Sequence, residues 1–387
     1  MQLPDPEIIE LAPESGNLDE AAVATPAVPA VFLVWAREGA PYLGRTASLR
    51  RRLSRLLRAP AAPSRMLNLR EVARRIEYWV TASRLESAIY SYALARRHFP
   101  ETYRTVLKLR MPHYVKLILT NPFPRTQVTA RLASSRSLYY GPFPSRASAE
   151  RFENEFLDLF QLRRCQEDLA PSPEHPGCIY GEMNRCLRPC QRVVGLEEYR
   201  SEAERVAEFL TTRGASLLRS IAAARDRLSE ELDFEEAARQ HARFERVHQV
   251  VRSSDDLAGD IDRLNGVAVT ASAAPEEVVL WFLLKGCWQV PLRFRLSVEE
   301  GKPVPLDKRL REAMAALNPA RLPALERQEH LALLARWYYS SWRDGEWLSF
   351  DNLDSPPLRK LVNAIHRVAT RAEAHAPSRP VLSEGLG

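Results

Sequence analysis

The sequence predicts an α+β fold, on three observations. Strand-length apolar runs occur at 31–35 (VFLVW), 76–80 (IEYWV) and 278–284 (VVLWFLL), and helical stripes such as Phe152, Phe156, Leu159 and Phe160 lie between them. Long helices then gather between 197 and 253, after which strands resume. The 387 residues leave room for two or three domains. Composition divides them into an acidic tail (1–28), a small α/β unit (29–110) and a strand and helix region with clustered cysteines (111–195). A helical hairpin (196–254), an α+β domain of unassigned role (255–375) and a short tail (376–387) complete the chain.

Residues 1–28 are rich in Ala and Pro and contain no Lys or Arg, a composition that predicts disorder. Order is expected to begin with the strand at 31–35. Arg37, Glu38, Gly39 and Ala40 then make a hairpin turn, and Tyr42 and Leu43 lie on the returning strand. Gly44 turns the chain into a helix reaching Leu57, with Ser48 as N-cap. A Pro/Ala loop (59–64), a strand at 76–80 and a helix over 83–98 follow. Two more strands are expected at 114–120 and 127–131, and Tyr139 to Pro144 (YYGPFP) reads as a rigid aromatic turn before a helix at 145–160. Helices at 197–210 and 215–231 lead to a third that starts at Phe234, where Asp233 and Glu236 form a capping box. Beyond Asp255, strands are expected at 267–269, 278–284 and 290–294, with Lys285-Gly286 as a turn. Helices at 306–317, 325–342 and 357–372 precede a frayed end.

Two stretches carry chemistry. In the helix ending at Leu57, Leu49, Leu53, Leu56 and Leu57 share one face, while Arg45, Arg50, Arg51, Arg52, Arg55 and Arg58 cover the rest. Guanidinium forks match phosphate oxygens, so this helix beside a strand edge suits a phosphodiester; the plainer reading is a solvated face. The formal net charge is +6, with Arg dense between 37 and 75, which permits an acidic partner. The second stretch holds four of the five cysteines, Cys165, Cys178, Cys186 and Cys190. Their spacing is neither a secreted disulfide framework nor the paired CxxC of a zinc ribbon, and four thiolates can hold either zinc or an iron–sulfur cluster. Cys287, near Trp288 on a strand, reads as a buried core thiol. No apolar run is long enough for a membrane span, and with no basic-then-apolar leader a cytoplasmic protein is expected.

Three stretches together resemble the bacterial UvrC excinuclease family of nucleotide excision repair. The likeness covers about 29–251, over half of the chain. The unit containing Ala30-Val31-Phe32 and Tyr42-Leu43-Gly44 resembles the family's GIY-YIG nuclease domain. YYGPFPS (139–145) and LRRC (162–165) resemble its approach to the cysteines, and LDFEEAAR (232–239) resembles its UVR helical hairpin. The resemblance implies catalytic positions at Tyr42, Arg52 and Arg45, and DNA contacts from Arg50, Arg51, Arg55 and Arg58. It also implies where the centre is degenerate. Phe32 stands where the first motif has a tyrosine, Ser91 where a glutamate binds Mg²⁺, and Arg104 where an asparagine is usual. A serine hydroxyl is a poor ligand for Mg²⁺, which relies on carboxylate charge. Glu86 lies five residues earlier, about 140° around the helix, and is expected to point elsewhere.

The resemblance further implies a [4Fe–4S] cluster on Cys165, Cys178, Cys186 and Cys190, with zinc as the alternative, and Mg²⁺ only for an active nuclease. The implied partners are DNA and, through Phe234, Glu235, Ala238 and Phe244, a UvrB-like protein. His241 is expected to be packed on the hairpin's apolar face. Neither the RNase H-like nuclease nor the helix–hairpin–helix repeats of full-length members follow recognisably. Asp307, Asp344, Asp351 and Asp354 do not fall on successive strand ends, and Trp337, Tyr338, Tyr339 and Trp342 read as core. The expected function is therefore a UvrC-like repair protein that binds DNA and UvrB with an impaired incision centre. The alternative is an active short UvrC/Cho-like endonuclease making one incision near a lesion.

Overall fold

The computed structural model describes residues 3–11, 18–59, 67–133, 136–296, 304–319, 322–353 and 356–375. Most of the expected Pro/Ala loop, the tail over 376–387 and Asp354 lie outside these residues. The protein is mixed α and β throughout, as the α+β expectation holds.

Strand β1 (Glu7–Glu10), helix α1 (Leu18–Ala24), strands β2 (Ala30–Trp35) and β3 (Tyr42–Thr46), helix α2 (Leu49–Leu57) and strand β4 (Arg75–Val80) build the first sheet. Its order is β1-β4-β2-β3, antiparallel throughout. Alternation along β2 decides the layers. Ala30, Phe32 and Val34 face α1 and α2, together with Leu49, Leu53, Leu56 and Leu57. Val31 and Leu33 face the opposite way, onto helix α3 (Arg84–His98), which Ser83 caps by accepting the Glu86 N–H. A short helix, α4 (Tyr103–Leu107), follows.

The expected disordered tail over 1–28 is corrected here. Ile9 pairs with Ile76 on the free edge of β4, and α1 buries Leu18 and Ala22, four residues apart, in the core beside α2. A few apolar side chains suffice when they add to a sheet that already exists, although averaged composition hides them.

The second sheet, β6-β5-β7-β8, uses β5 (His113–Ile118), β6 (Arg125–Thr129), β7 (Leu138–Phe143) and β8 (Gly259–Asp260). Helices α5 (Arg146–Leu157), α6 (Ile179–Glu182), α7 (Leu196–Thr211), α8 (Ala215–Glu230) and α9 (Phe234–Ser253) fall between its third and fourth strands. The stripe Phe152, Phe156, Leu157 and Phe160 packs against Tyr199, Phe209 and Val247. The aromatic turn expected at Tyr139 to Pro144 is instead strand β7. The pairing shifts register between His113 and Val115, so Gly141 and Pro142 together oppose Tyr114, and the irregularity absorbs a proline that has no N–H to give.

The third sheet comprises β9 (Asn265–Ala271), β10 (Glu277–Leu284), β11 (Cys287–Trp288), β12 (Leu292–Arg295) and β13 (Glu346–Phe350), with helices α10 (Leu306–Ala315), α11 (Ala324–Tyr338) and α12 (Leu358–His375). All of β10 is buried. Val279, Trp281 and Leu283 face α11, whereas Val278, Leu280, Phe282 and Leu284 face α10 and α12. The first of these cores continues without a break through Leu331, Leu334 and Trp337 to Ile89, Tyr90 and Leu33, so the first and third sheets share it. Helix α11 ends at Tyr338, short of the expected 342; Trp337 is core, but Trp342 is 37% exposed. Cys287 is buried. Among the described residues no helix is long and apolar enough to cross a membrane.

Candidate nucleic-acid interface and cysteine cluster

The edge strand β3 and helix α2 bring Tyr42 and Arg52 together, with Arg52 Nη2 donating to Tyr42 Oη at 2.7 Å. Tyr42 packs its ring 6.1 Å from that of Phe32. Phe32 is fully buried because Gly44, directly across the β2–β3 ladder, leaves room for its ring; a Cβ at Gly44 would run into Phe32 Cζ. Phe32, where the resemblance puts a tyrosine, is thus core. Arg51, Arg55 and Arg58 are exposed on α2, while Arg50, also exposed, uses Nε to bond the Thr25 carbonyl at 2.8 Å. Arg45 does not join this group. It follows Leu43 onto the other face of β3, where it lines a cavity with Arg84 and Arg336. Desolvation, then the charges of Arg336 and Arg84, lower its pKa.

The face of α3 where the nuclease resemblance puts a metal ligand is turned inward. Ser91 is buried and donates to the Ser87 carbonyl one turn earlier, at 2.7 Å. Glu86, 1% exposed, accepts from the Ala82 amide at 2.9 Å and from Arg293 Nη2 of β12 at 3.3 Å. Desolvation raises its pKa despite these two partners. Arg104 donates through Nε to Glu329 of α11 at 2.8 Å, and the same buried carboxylate accepts from Tyr92 (2.7 Å) and Tyr103 (2.6 Å). The two carboxylates and Arg104 therefore tie the first unit to the third sheet. Among the described residues neither Tyr42 nor Arg52 is hydrogen-bonded to a carboxylate.

The cysteine loop hangs between α5 and α7. Arg163 is buried and sends Nη1 to the Cys165 sulfur (3.4 Å) and to the Glu167 carbonyl (2.8 Å), and the Arg188 amide points at the Cys186 sulfur (3.4 Å). Tyr199 of α7 fixes the entry by accepting the Arg163 amide and donating to the Pro124 carbonyl. Arg188 and Arg192, on either side of Cys190, both adopt φ of 55°, a left-handed conformation costly for a residue with a Cβ. Cys186 and Cys190 are buried, Cys165 is half-buried and Cys178 is exposed. Burial raises the Cys186 thiol to about 11, against the Arg188 amide and with smaller upward contributions from Cys165, Cys178 and Cys190. A bound cation would let thiols in this loop stand as thiolates. As they stand, no three His, Cys, Asp or Glu residues among those described are set to hold a metal ion. Two N–H donors, Arg163 Nη1 and the Arg188 amide, point at sulfur in this loop.

Helices α8 and α9 form an antiparallel pair whose base enters the middle core through Ile221, Val247 and Val250. At the far end Leu232 is 72% and Phe234 66% exposed, with Glu235 and Ala238 exposed beside them. Phe244 is half-buried against the core; His241, expected to be packed, is exposed. Sequence reasoning did not bring Arg84, Arg336, Trp342 and Asp344 together. They meet only in three dimensions, Arg84 and Asp344 being 260 positions apart, and no local pattern announces them.

Three comparisons bear on these regions. The family described as UvrC/Cho excinuclease, middle domain, matches residues 113–209, which span the second sheet's first three strands, the cysteine loop and most of α7. The UvrABC system protein C of Moorella thermoacetica is 30% identical over 254 residues, 65% of this chain and 41% of that protein. That of Desulforudis audaxviator is 31% identical over 241 residues, covering 62% and 39%, and that of Lachnospira eligens 25% over 292 residues, covering 74% and 47%. The chain therefore spans less than half the length of these curated relatives. No solved structure matches significantly.

Proposed function

From the premise that this chain is a UvrC-family protein, we propose a DNA-binding component of nucleotide excision repair whose GIY-YIG-like unit grips the sugar–phosphate backbone but incises it poorly. One observation carries this reading: Arg52 and Tyr42 are paired beside the exposed arginines of α2, while Ser91 is spent on its own helix. Hydrolysis of a phosphodiester needs charge held at the scissile phosphate and, in the nuclease resembled, a metal on a carboxylate. The first requirement is met here by guanidiniums. The second has no counterpart beside Tyr42 among the described residues.

Incubating the purified protein with a damaged duplex in Mg²⁺ tests this. Binding without nicking, weakened by Arg52→Ala, is the expected result. Nicking that depends on both Tyr42 and Arg52 would establish the alternative, a short endonuclease making a single cut.

Two further features fit the same reading. Cys165, Cys178, Cys186 and Cys190 would hold a [4Fe–4S] cluster, zinc being the alternative thiolate-bound group; metal analysis of protein purified without oxygen distinguishes them. The exposed Leu232 and Phe234 at the hairpin tip suit docking onto a second helical hairpin, the kind of contact proposed for a UvrB-like protein. Phe234→Ala is expected to abolish that association in a pull-down with the fold intact.

A further inference from the structure

On the face of the first sheet opposite α2 lies a cavity of about 580 Å³, closed on its far side by the segment after α11. Its lining includes Arg45 from β3, Arg84 and Ser87 from α3, Arg336 from α11, and Trp342 and Asp344 beyond it. Asp344 is already engaged: Oδ2 accepts the Arg84 amide at 2.6 Å and Oδ1 accepts Trp337 Nε1 at 3.0 Å. With Ser83 capping the same helix end, the amides of α3 are largely taken, so the cavity's preference for anions comes from guanidiniums. Arg84 lies with Cζ 5.0 Å from the Trp342 ring, and Arg336 makes only a long bond, 3.4 Å, to the Leu107 carbonyl. Among the described residues none of the three arginines has a carboxylate within ion-pair range of its side chain.

We infer that this cavity is a binding pocket for a phosphomonoester, carried either by a free nucleotide or by the terminal phosphate of a DNA strand. The lining holds three guanidiniums and one carboxylate, a surplus of two positive charges. A phosphomonoester carries close to two negative charges at neutral pH, whereas a backbone diester carries one. Guanidinium forks supply the geometry, and Trp342 offers a surface for a base or sugar, while the Ser87 hydroxyl is already paired with Thr81 at 2.7 Å. The volume falls within the range of small-molecule sites. Desolvation, and after it the charges of Arg336 and Arg84, lower the Arg45 pKa, and a bound anion would oppose that shift. This goes beyond the diester grip proposed for α2 and rests on the DNA reading only for the strand as a source.

The test uses the full chain and two 3′-labelled DNA strands that differ only in a 5′-phosphate or a 5′-hydroxyl, followed by fluorescence anisotropy. Nucleoside 5′-monophosphate and inorganic phosphate serve as competitors and, separately, as ligands in calorimetry. The phosphorylated strand is expected to bind about tenfold more tightly, a difference of about 1.4 kcal/mol. Arg336→Gln should erase that preference while leaving the hydroxyl strand's affinity unchanged; Arg84→Gln gives the same reading if the first variant melts early. Binding of the monophosphate alone, lost in these variants, would assign the pocket to free nucleotides. Equal binding of both strands with no binding of monophosphate or phosphate overturns the inference, as does a preference that survives in folded variants. Should neither strand bind, the DNA reading fails, and the calorimetry still decides for the pocket.

Discussion

Helices α2 and α3 cover opposite faces of one small sheet and have opposite fates. In α2 only the leucine stripe is buried, and Arg51, Arg55 and Arg58 remain in solvent. In α3 eight residues are buried, Glu86 and Ser91 among them, because α11 and the third sheet close over the helix. Under the function proposed above, the contrast accounts for where a nuclease-like centre can and cannot persist. A metal-binding carboxylate needs solvent access and an unspent charge, and on α3 each carboxylate or serine is committed to a neighbour inside the protein. A backbone-gripping arginine needs only an exposed helix, which α2 retains.

The strongest way to break this comparison is to loosen the inward face. Glu329→Ala strands the hydroxyls of Tyr92 and Tyr103 and the charge of Arg104, and is expected to cost about 3–5 kcal/mol in urea unfolding. Gly44→Ala attacks the open face from beneath by driving a methyl into Phe32, at an expected cost of about 1–3 kcal/mol. Adding Phe32→Leu should recover part of that loss, a coupling that a double-mutant cycle would read directly.

Arg55→Ala should then separate binding from stability. It removes an exposed α2 cation that has no hydrogen bond or ion pair among the described residues, so DNA affinity should fall a few-fold, and the salt slope should shrink by about 0.9 if the residue meets one phosphate. Its unfolding free energy should stay within about 0.5 kcal/mol of the parent.

Glu86→Gln is the gentlest probe and reports the burial of α3. The native Glu86 pKa is raised above its ordinary 4.5, so the folded state holds its proton more firmly than the unfolded state does. Stability associated with this group is present below pH 4.5 and is lost as pH rises through the raised native value. The variant should match the parent in acid and exceed it at about pH 8, as thermal melts across that range would show. Equal melting at every pH would mean that Arg293 fully offsets the burial.

Regular elements were legible because their periods are simple: the 3.6-residue stripe of α2 and the unbroken apolar run of β10 fold as their patterns require. Elements that depend on a distant partner were not. β1 has only Ile8 and Ile9 to mark it and exists because β4 offers an edge. β7 was obscured by Gly141 and Pro142, whose irregularity makes sense only opposite Tyr114. At the candidate site, Tyr42 and Arg52 were singled out through the family resemblance and their hydrogen bond is seen only in the structure, whereas the split that sends Arg45 to the other face needed the strand's alternation and the arrival of α11. The inward commitment of Arg104 likewise depends on Glu329, 225 positions away.

That separation sets an order of events at the ribosome. Tyr92 emerges 237 residues before the carboxylate that will accept its hydroxyl proton, a wait of roughly 10–50 s at bacterial elongation rates of about 5–20 residues per second. Through that interval the aromatic rings of α3 and Arg104 of α4 are without the α11 side chains that cover and pair them in the finished fold. The arginine-bearing α2 is thus synthesised well before the interior is complete, and a chaperone that covers α3 would be guarding a face the finished molecule keeps buried.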